Sequence, residues 1–181
     1  MTALLHDLLD ILEACGIDYM VVGSVSSSVH GQARATQDLD VVVNIEPQQL
    51  EQFLKALSDD RYYVSPTAAH EGVRKRTQFN VIDLKGGGKI DLLPLKRRPF
   101  SQSEFQRRQT VHALDRTLSV ATPEDVILSK LEWNAITPSE RQLRDVAGIL
   151  ATQGDRLDFE YLQKWAEHLG VSEQLNRLTP G

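Results

Sequence analysis

Cross-linking chemistry is scarce in this chain. A single cysteine, Cys15, stands among 181 residues, which excludes an internal disulfide and a cysteine-based zinc site. The remaining histidines outside the motif described below, His6, His70, His112 and His168, have no metal-ligand spacing. Aromatic residues make up 6% of the chain. Few of them interleave with the basic groups, so a base-stacking platform for single-stranded nucleic acid is not expected. No run approaches the ~20 apolar residues that a membrane-spanning helix needs. Asp7, Asp10 and Glu13 interrupt the N-terminal apolar pattern, which is wrong for a secretory signal. A cytoplasmic protein without membrane association is expected. The formal net charge of −5 argues against a general nucleic-acid coat, although a locally basic groove stays compatible with it. There is no internal repeat and no low-complexity stretch. With 41% hydrophobic and 25% charged residues, the composition is that of an ordinary globular protein.

Against that background one stretch stands out. The apolar run Met20-Val21-Val22 reaches Gly23-Ser24, and Asp38-Leu39-Asp40 opens a second aliphatic run that continues through Val43. Gly23 permits a tight turn and a close backbone approach to a ligand. Ser24 is a good N-cap for a segment running to His30, and a helix start there would offer unpaired N–H groups and a favourable dipole to a phosphate. Asp38 and Asp40 are two apart in a strand-forming run, so both carboxylates face the same way with Cα atoms about 6.7 Å apart. Two like charges at that distance are costly unless a cation lies between them, and Mg²⁺ completed by phosphate oxygens is the usual solution.

The combination resembles the nucleotidyltransferase superfamily, whose signature is an apolar strand, Gly-Gly or Gly-Ser, then Asp-x-Asp. Gly23-Ser24, His30-Gly31, Arg34, Thr36 and Asp38-Leu39-Asp40 are similar to the arrangement in AbiEii-like and related small bacterial nucleotidyltransferases. The resemblance implies an α/β (α+β) nucleotidyltransferase fold, a mixed β-sheet flanked by helices, with Mg²⁺ or Mn²⁺ held by carboxylates. It also implies a third acid on a later strand. Asp91, in Lys89-Ile90-Asp91-Leu92-Leu93, interrupts an apolar strand and is the best candidate, with Asp83 the runner-up. Gly23 and Ser24 would hold the nucleotide triphosphate. Arg34 and Thr36 match the pattern and would either contact phosphate or brace the loop. Lys89 should share the face of Asp91 and either contact phosphate or offset the carboxylates. His30 reads as a structural residue at a helix end rather than a catalyst.

The second half carries its own resemblance. The run from Thr122 to Leu131, and Arg141-Gln142-Leu143-Arg144-Asp145-Val146, look like the Lys-Leu and Arg-Asp-x-x-Asp segments of AbiEii-like proteins. The implied roles are a phosphate-contacting Lys130 and an Asp145 that positions it or the acceptor. Gln142 departs from the pattern by standing where the first acid is usual.

Periodicity and punctuation divide the chain into an α/β catalytic part, residues 1–120, and a helical part, residues 121–181. A helix from Thr2 to Cys15 precedes a strand starting at Ile17, and Asp38–Ile45 is the second strand. Pro47 starts a helix to about Leu57, Tyr62-Tyr63-Val64 reads as a short edge strand, and residues 66–76 as a short helix and loop. Lys85-Gly86-Gly87-Gly88 joins two strands as a hairpin. Ser101-Gln102-Ser103-Glu104 reads as a capping box with Phe100 as its staple, and a short hairpin turns around Asp115-Arg116. Thr122-Pro123 caps the first C-terminal helix. Further helices follow from about Thr137 and over Asp158–Leu169, and a short one ends the chain. Three basic groups, Arg74-Lys75-Arg76, Lys96-Arg97-Arg98 and Arg107-Arg108, read as solvated faces, or, for Lys96 to Arg98, which directly follow the Asp91 strand, as the mouth for an RNA acceptor.

The expected activity is a metal-dependent transfer of a nucleotide monophosphate from an NTP, ATP among them, to RNA, protein or a small molecule, with release of pyrophosphate. Two alternatives stand beside it. One is a toxin of a toxin–antitoxin pair that modifies tRNA or a protein and has an antitoxin partner; the other is a nucleotide-binding regulatory protein without turnover.

Overall fold

The computed structural model describes residues 2–33, 38–57 and 60–179. Helix α1 (Thr2–Ala14) turns its leucines inward and leads to β1 (Asp18–Val22). Helix α2 (Gly23–His30) follows directly, then β2 (Leu39–Asn44) and α3 (Pro47–Ala56). The short β3 (Tyr62–Tyr63), α4 (Pro66–Lys75), β4 (Phe79–Asp83) and β5 (Lys89–Pro94) come next. Helix α5 (Pro99–Arg107) precedes the hairpin of β6 (Gln109–Ala113) and β7 (Arg116–Val120). From there the described chain is helical: α6 (Pro123–Ile136), α7 (Glu140–Gln153), a 3-10 turn at Gly154–Arg156, α8 (Phe159–Leu169) and α9 (Ser172–Leu178). None of the helices among the described residues is long and apolar enough to cross a membrane.

The strands form one mixed sheet in the order β3-β4-β5-β2-β1-β7-β6. Strand β2 is antiparallel to β1 and parallel to β5, which puts it at the centre. Alternation of side chains along each strand then builds two cores. Val21, Leu39, Val41, Val43, Ile90 and Leu92 face one side and pack with α1, α3 and α4. Met20, Val22 and Val42 face the other side, in a core with Phe100 and Phe105 of α5 and the apolar residues of α6 to α9. Asp40 and Asp91 fall on this second face by the same alternation, so the carboxylates and the C-terminal helices share one side of the sheet.

Several local signals act as expected. Thr122 Oγ1 accepts from the Asp125 backbone N–H, with Pro123 at the first helical position. The β6–β7 hairpin forms, but its two-residue turn is Leu114–Asp115, both at positive φ, one residue earlier than Asp115-Arg116. Tyr62–Tyr63 is an edge strand. Others act differently. Residues 66–75 are one helix rather than a short helix and a loop, capped by Ser65, whose hydroxyl accepts from the Ala68 N–H. Helix α5 starts at Pro99 with Arg98 as its flanking residue, so Ser101 and Glu104 lie inside the helix and form no capping box. Pro99, with its φ fixed near the helical value, moves the start upstream.

The acids in the first turn of α6 do more than complement its dipole. Asp125 is fully buried. It accepts from Thr122 Oγ1 at 2.6 Å, from Tyr161 Oη at 2.6 Å and from Arg107 Nε at 3.3 Å. The Arg107 guanidinium lies 3.7 Å from the Tyr161 ring centre and also pairs with Glu124. This network locks α5, α6 and α8 together.

Candidate active site

The central strands set the geometry. Asp40 on β2 and Asp91 on β5 are register partners in a parallel pair, so their carboxylates project side by side from strands about 4.8 Å apart. Asp38 lies one residue before β2 and is exposed; the strand starts one residue later than the sequence pattern indicates. Burial, then the charges of Asp91 and Asp38, raise the pKa of Asp40, while Lys130 and Lys89 act in the opposite sense.

Gly23 closes the site from the β1 side. Its φ is +64°, and a Cβ placed there would overlap the Asp40 carboxylate, 3.1 Å from Cγ and far inside contact distance of Oδ2. Both the turn and the close approach exclude a side chain. Gly23→Ala should therefore displace the Asp40 carboxylate and destabilise the protein by about 1–2 kcal/mol through the left-handed backbone alone. Chemical denaturation beside an activity assay would check this, with activity falling far more than stability. Ser24 is not the N-cap. The helix begins at Gly23 after an extended Val22, and no side chain caps it. The N–H groups at this helix start nevertheless lie next to Asp40, as phosphate binding would require.

Lys89 Nζ reaches both oxygens of Asp91, at 3.1 and 3.2 Å, so the two share a face as expected. Asp83 does not join the cluster. It is on the opposite face of β4 from Asn80, the register partner of Asp91. Its carboxylate accepts from the Lys85 and Gly86 N–H groups and braces the hairpin turn, interactions that hold its pKa down. Arg34 and Thr36 lie outside the described residues.

Lys130 comes to the cleft from α6. It is 6% exposed and donates to Asp145 Oδ2 at 2.8 Å and to Gln142 Oε1 at 2.9 Å. Lys130, Gln142 and Asp145 thus form one cluster, in which Gln142 contributes a neutral acceptor. A lysine projecting into a wet cleft could be removed with little effect on stability, but this ammonium is buried and paired. Lys130→Ala takes from the nearly buried Asp145 its 2.8 Å partner and should cost about 3 kcal/mol, measurable by urea unfolding. Lys130→Arg should retain more stability but fit poorly, since a planar fork does not replace a compact ammonium.

These elements meet in a cleft of about 330 Å³. Gly23, Asp40, Lys130 and Gln142 line it, together with Arg98, Glu104, Ser129, Glu132 and Trp133. Two larger, more open depressions lie elsewhere, one between α1 and the β6–β7 hairpin and one between α3 and α4. Neither contains the carboxylates.

The basic groups are largely engaged. Lys75 pairs with Glu71, Arg76 lies 3.8 Å from Glu46, and Arg108 lies 3.7 Å from Asp18. Arg98 turns into the cleft but is gripped by both oxygens of Glu132. Its neighbours Lys96 and Arg97 are exposed. His30 is buried and bonded through Nε2 to the Ala121 carbonyl at 2.7 Å, and burial lowers its pKa. It pins α2 to the start of the helical part, a structural role.

Among the described residues no three or more His, Cys, Asp or Glu side chains converge as a metal cage. The Asp40–Asp91 pair does fit an ion such as Mg²⁺, which commonly takes one or two carboxylates and completes its shell with phosphate oxygens and water. Glu104 joins the cleft although the sequence pattern marks it only as part of a cap. The usable signal for it is an acid between Phe100 and Phe105 on a helix whose apolar face is buried.

The fold is that of the nucleotidyltransferases. No family model matches the chain, and no curated protein matches it. Solved structures do. The antibiotic-resistance factor ANT(2'')-Ia aligns with a TM-score of 0.63 at 12% identity, over 97% of this chain and 96% of that one. An antigenic nucleotidyltransferase-like protein from Paracoccidioides brasiliensis aligns with a TM-score of 0.59 at 16% identity, over 94% and 90%. The lincosamide antibiotic adenylyltransferase LnuA, solved with lincomycin bound, aligns with a TM-score of 0.56 at 16% identity, over 82% and 95%. At these identities the likeness is one of fold.

Proposed function

We propose that this protein is a metal-dependent nucleotidyltransferase that moves a nucleotide monophosphate from an NTP to a small-molecule acceptor and releases pyrophosphate. The observation that carries this is the register pairing of Asp40 with Asp91 beside a Gly23 that admits no Cβ, where Gly23 and Asp40 line one cleft with Lys130. Asp40, Asp91 and Asp38 would hold Mg²⁺ or Mn²⁺, which when bound neutralises phosphate charge and polarises the α-phosphate. The N–H groups after Gly23 would receive triphosphate oxygens, with Ser24, Lys89, Arg34 and Thr36 as further phosphate contacts. Lys130, oriented by Asp145 and Gln142, would place its charge on the nucleotide side of the cleft. Asp91 would help remove the acceptor proton. Residues 1–120 would form the catalytic part, with 121–181 completing the cleft.

A small molecule is favoured over tRNA or a protein because the cleft is near the lower end of ligand-pocket sizes and because the basic groups are mostly engaged by acids. The fold neighbours agree: LnuA was solved with lincomycin bound, and ANT(2'')-Ia, in a match with a TM-score of 0.62 and 12% identity over 92% of this chain and 97% of that one, was solved with adenylyl-2''-tobramycin. ATP is the natural first donor, and a cytoplasmic setting suits an NTP-consuming reaction.

The test is to incubate the protein with each α-labelled NTP, Mg²⁺ and a cell lysate divided by size. Label in the small-molecule fraction with pyrophosphate released is the expected result. Label in tRNA or protein would replace the acceptor class and support the toxin alternative, including its antitoxin partner. Tight nucleotide binding with no pyrophosphate in any fraction would leave a regulatory nucleotide-binding protein.

A further inference from the structure

The cleft contains a carboxyl group that the transfer chemistry above does not use. Glu104 on α5 is 8% exposed, and its Oε1 accepts from Ser129 Oγ on α6 at 2.9 Å. Its Oε2 has no such partner, and among the described residues no buried side-chain oxygen or nitrogen goes without one. Oε2 therefore opens on accessible space, the cleft that Glu104 lines. An acid this enclosed with one oxygen turned to a cavity costs stability unless something enters to match it.

The surrounding charges show what is lacking. The cleft's cations are engaged: Arg98 is held by Glu132, and Lys130 by Asp145. Lys96 is exposed at the rim. The hydrogen-bond partner of Glu104 is a neutral hydroxyl. The charged groups that act on it are Asp125 and Glu132 of α6, which disfavour its ionisation, and Arg98 before α5, which favours it. Trp133, 57% exposed, lines the same cleft one residue beyond Glu132. A buried acid and an open aromatic face are together the two features that receive an ammonium group, one by ion pairing and the other by cation–π attraction.

We infer that the part of the cleft lined by Glu104, Ser129 and Trp133 is the acceptor subsite and that Glu104 selects an acceptor carrying a protonated amine, with Trp133 beside it. The inference rests on the nucleotidyltransferase reading for the word acceptor alone, because the binding itself needs neither NTP nor metal. Glu104 is a specificity-determining residue here, while the carboxylates on β2 and β5 carry the transfer.

The experiment uses the full chain without nucleotide and follows the Trp133 indole N–H cross-peak by NMR. Trp165, packed on Phe100 at 5.3 Å between ring centres, serves as internal reference. The probes are cyclohexylamine against cyclohexanol, and glucosamine against glucose. The amines should shift Trp133 saturably, and the neutral partners should bind at least tenfold more weakly. Glu104→Gln should weaken the amines by tenfold or more while leaving the rest of the spectrum folded. In the wild type, amine affinity should fall as pH drops below about 7, because protonation discharges the carboxylate. Ser129→Ala should move that midpoint upward, since the Ser129 hydrogen bond favours the ionised form. Neither amine moving Trp133, neutral probes binding equally well, or Glu104→Gln binding as the wild type does would each overturn the inference. Amine binding without pyrophosphate release from any NTP would refute the transfer reading and leave the subsite standing. Transfer without amine preference would do the reverse.

Discussion

Asp40→Asn should abolish nucleotidyl transfer and leave the protein at least as stable as the wild type. The two effects have one origin. Asp40 is partly buried beside two other carboxylates, and burial first, then Asp91 and Asp38, push its pKa upward. An acid whose pKa is higher in the folded than in the unfolded protein binds its proton more tightly when folded. Stability is then greatest below the unfolded pKa and declines as pH rises through the folded one. At pH 7 the ionised Asp40 therefore opposes folding, and asparagine, nearly identical in shape, removes that opposition. The same substitution removes a charge from the cluster that would hold Mg²⁺. Loss of several kcal/mol of transition-state charge stabilisation corresponds to about 10³-fold or more in rate. Pyrophosphate release measures the first effect and thermal melts the second. Adding Mg²⁺ and NTP should raise the melting temperature of the wild type and not of the variant, because only a ligand bound by the folded state stabilises it. Equal stabilisation of both proteins would show that Asp40 is not a metal ligand.

The second large effect is on stability alone. Glu104→Gln should raise the melting temperature at pH 8 and leave it nearly unchanged at pH 4. Burial pushes the Glu104 pKa up to about 7 from an ordinary 4.5, although the Ser129 hydrogen bond acts against the shift. Below about pH 4.5 the folded and unfolded proteins both carry the proton, and Glu104 costs nothing by ionisation. Between 4.5 and 7 the unfolded chain releases the proton while the folded protein keeps it, so stability falls with pH. Above about 7 the cost is complete, about 3 kcal/mol at 1.36 kcal/mol per pKa unit. Glutamine carries no such cost and can still accept from Ser129. For a chain of this length the difference at pH 8 corresponds to roughly 6–12 °C. Melts of both proteins across pH 4 to 8 check it, and the difference must grow with pH. A constant difference would mean that folding does not shift the Glu104 pKa and that the carboxyl is better solvated than its burial implies. A carboxyl that costs the fold this much at neutral pH is what a ligand-binding role would leave behind.

Much of the catalytic centre is legible in the sequence, because strand periodicity is strict. Lys89 and Asp91 are placed on one face by their spacing, and their side chains meet at 3.1 Å, whereas Asp38 lies one residue before β2 and outside the strand periodicity that places Asp40. Pairing across the sheet puts Asp91, and not Asp83, beside Asp40. Both interrupt apolar strands in the sequence, but only Asp91 comes beside Asp40, whereas Asp83 turns to the other face and stabilises a turn. Local signals fail where a neighbouring residue overrides them. Ser101-Gln102-Ser103-Glu104 has the residues of a capping box, yet Pro99 starts the helix earlier and leaves Glu104 facing the cleft. Ser24 has the chemistry of an N-cap, yet the helix opens one residue before it.

The sequence by itself determined the order of elements, the pair of acids at β2, the glycine that precedes them and the lysine of the helical part. These depend on interactions within a few residues or on a period of two or 3.6, which the chain carries locally. The tertiary structure alone decided that β5 lies beside β2 rather than elsewhere, that Lys130 is buried against Asp145 and Gln142, and that Glu104 lines the cleft. Each of those brings together residues well separated along the chain, and nothing in their local sequence specifies the partner. It is the packing of α5, α6 and α7 over one face of the sheet that fixes which side chains share the cleft and how much water each one keeps.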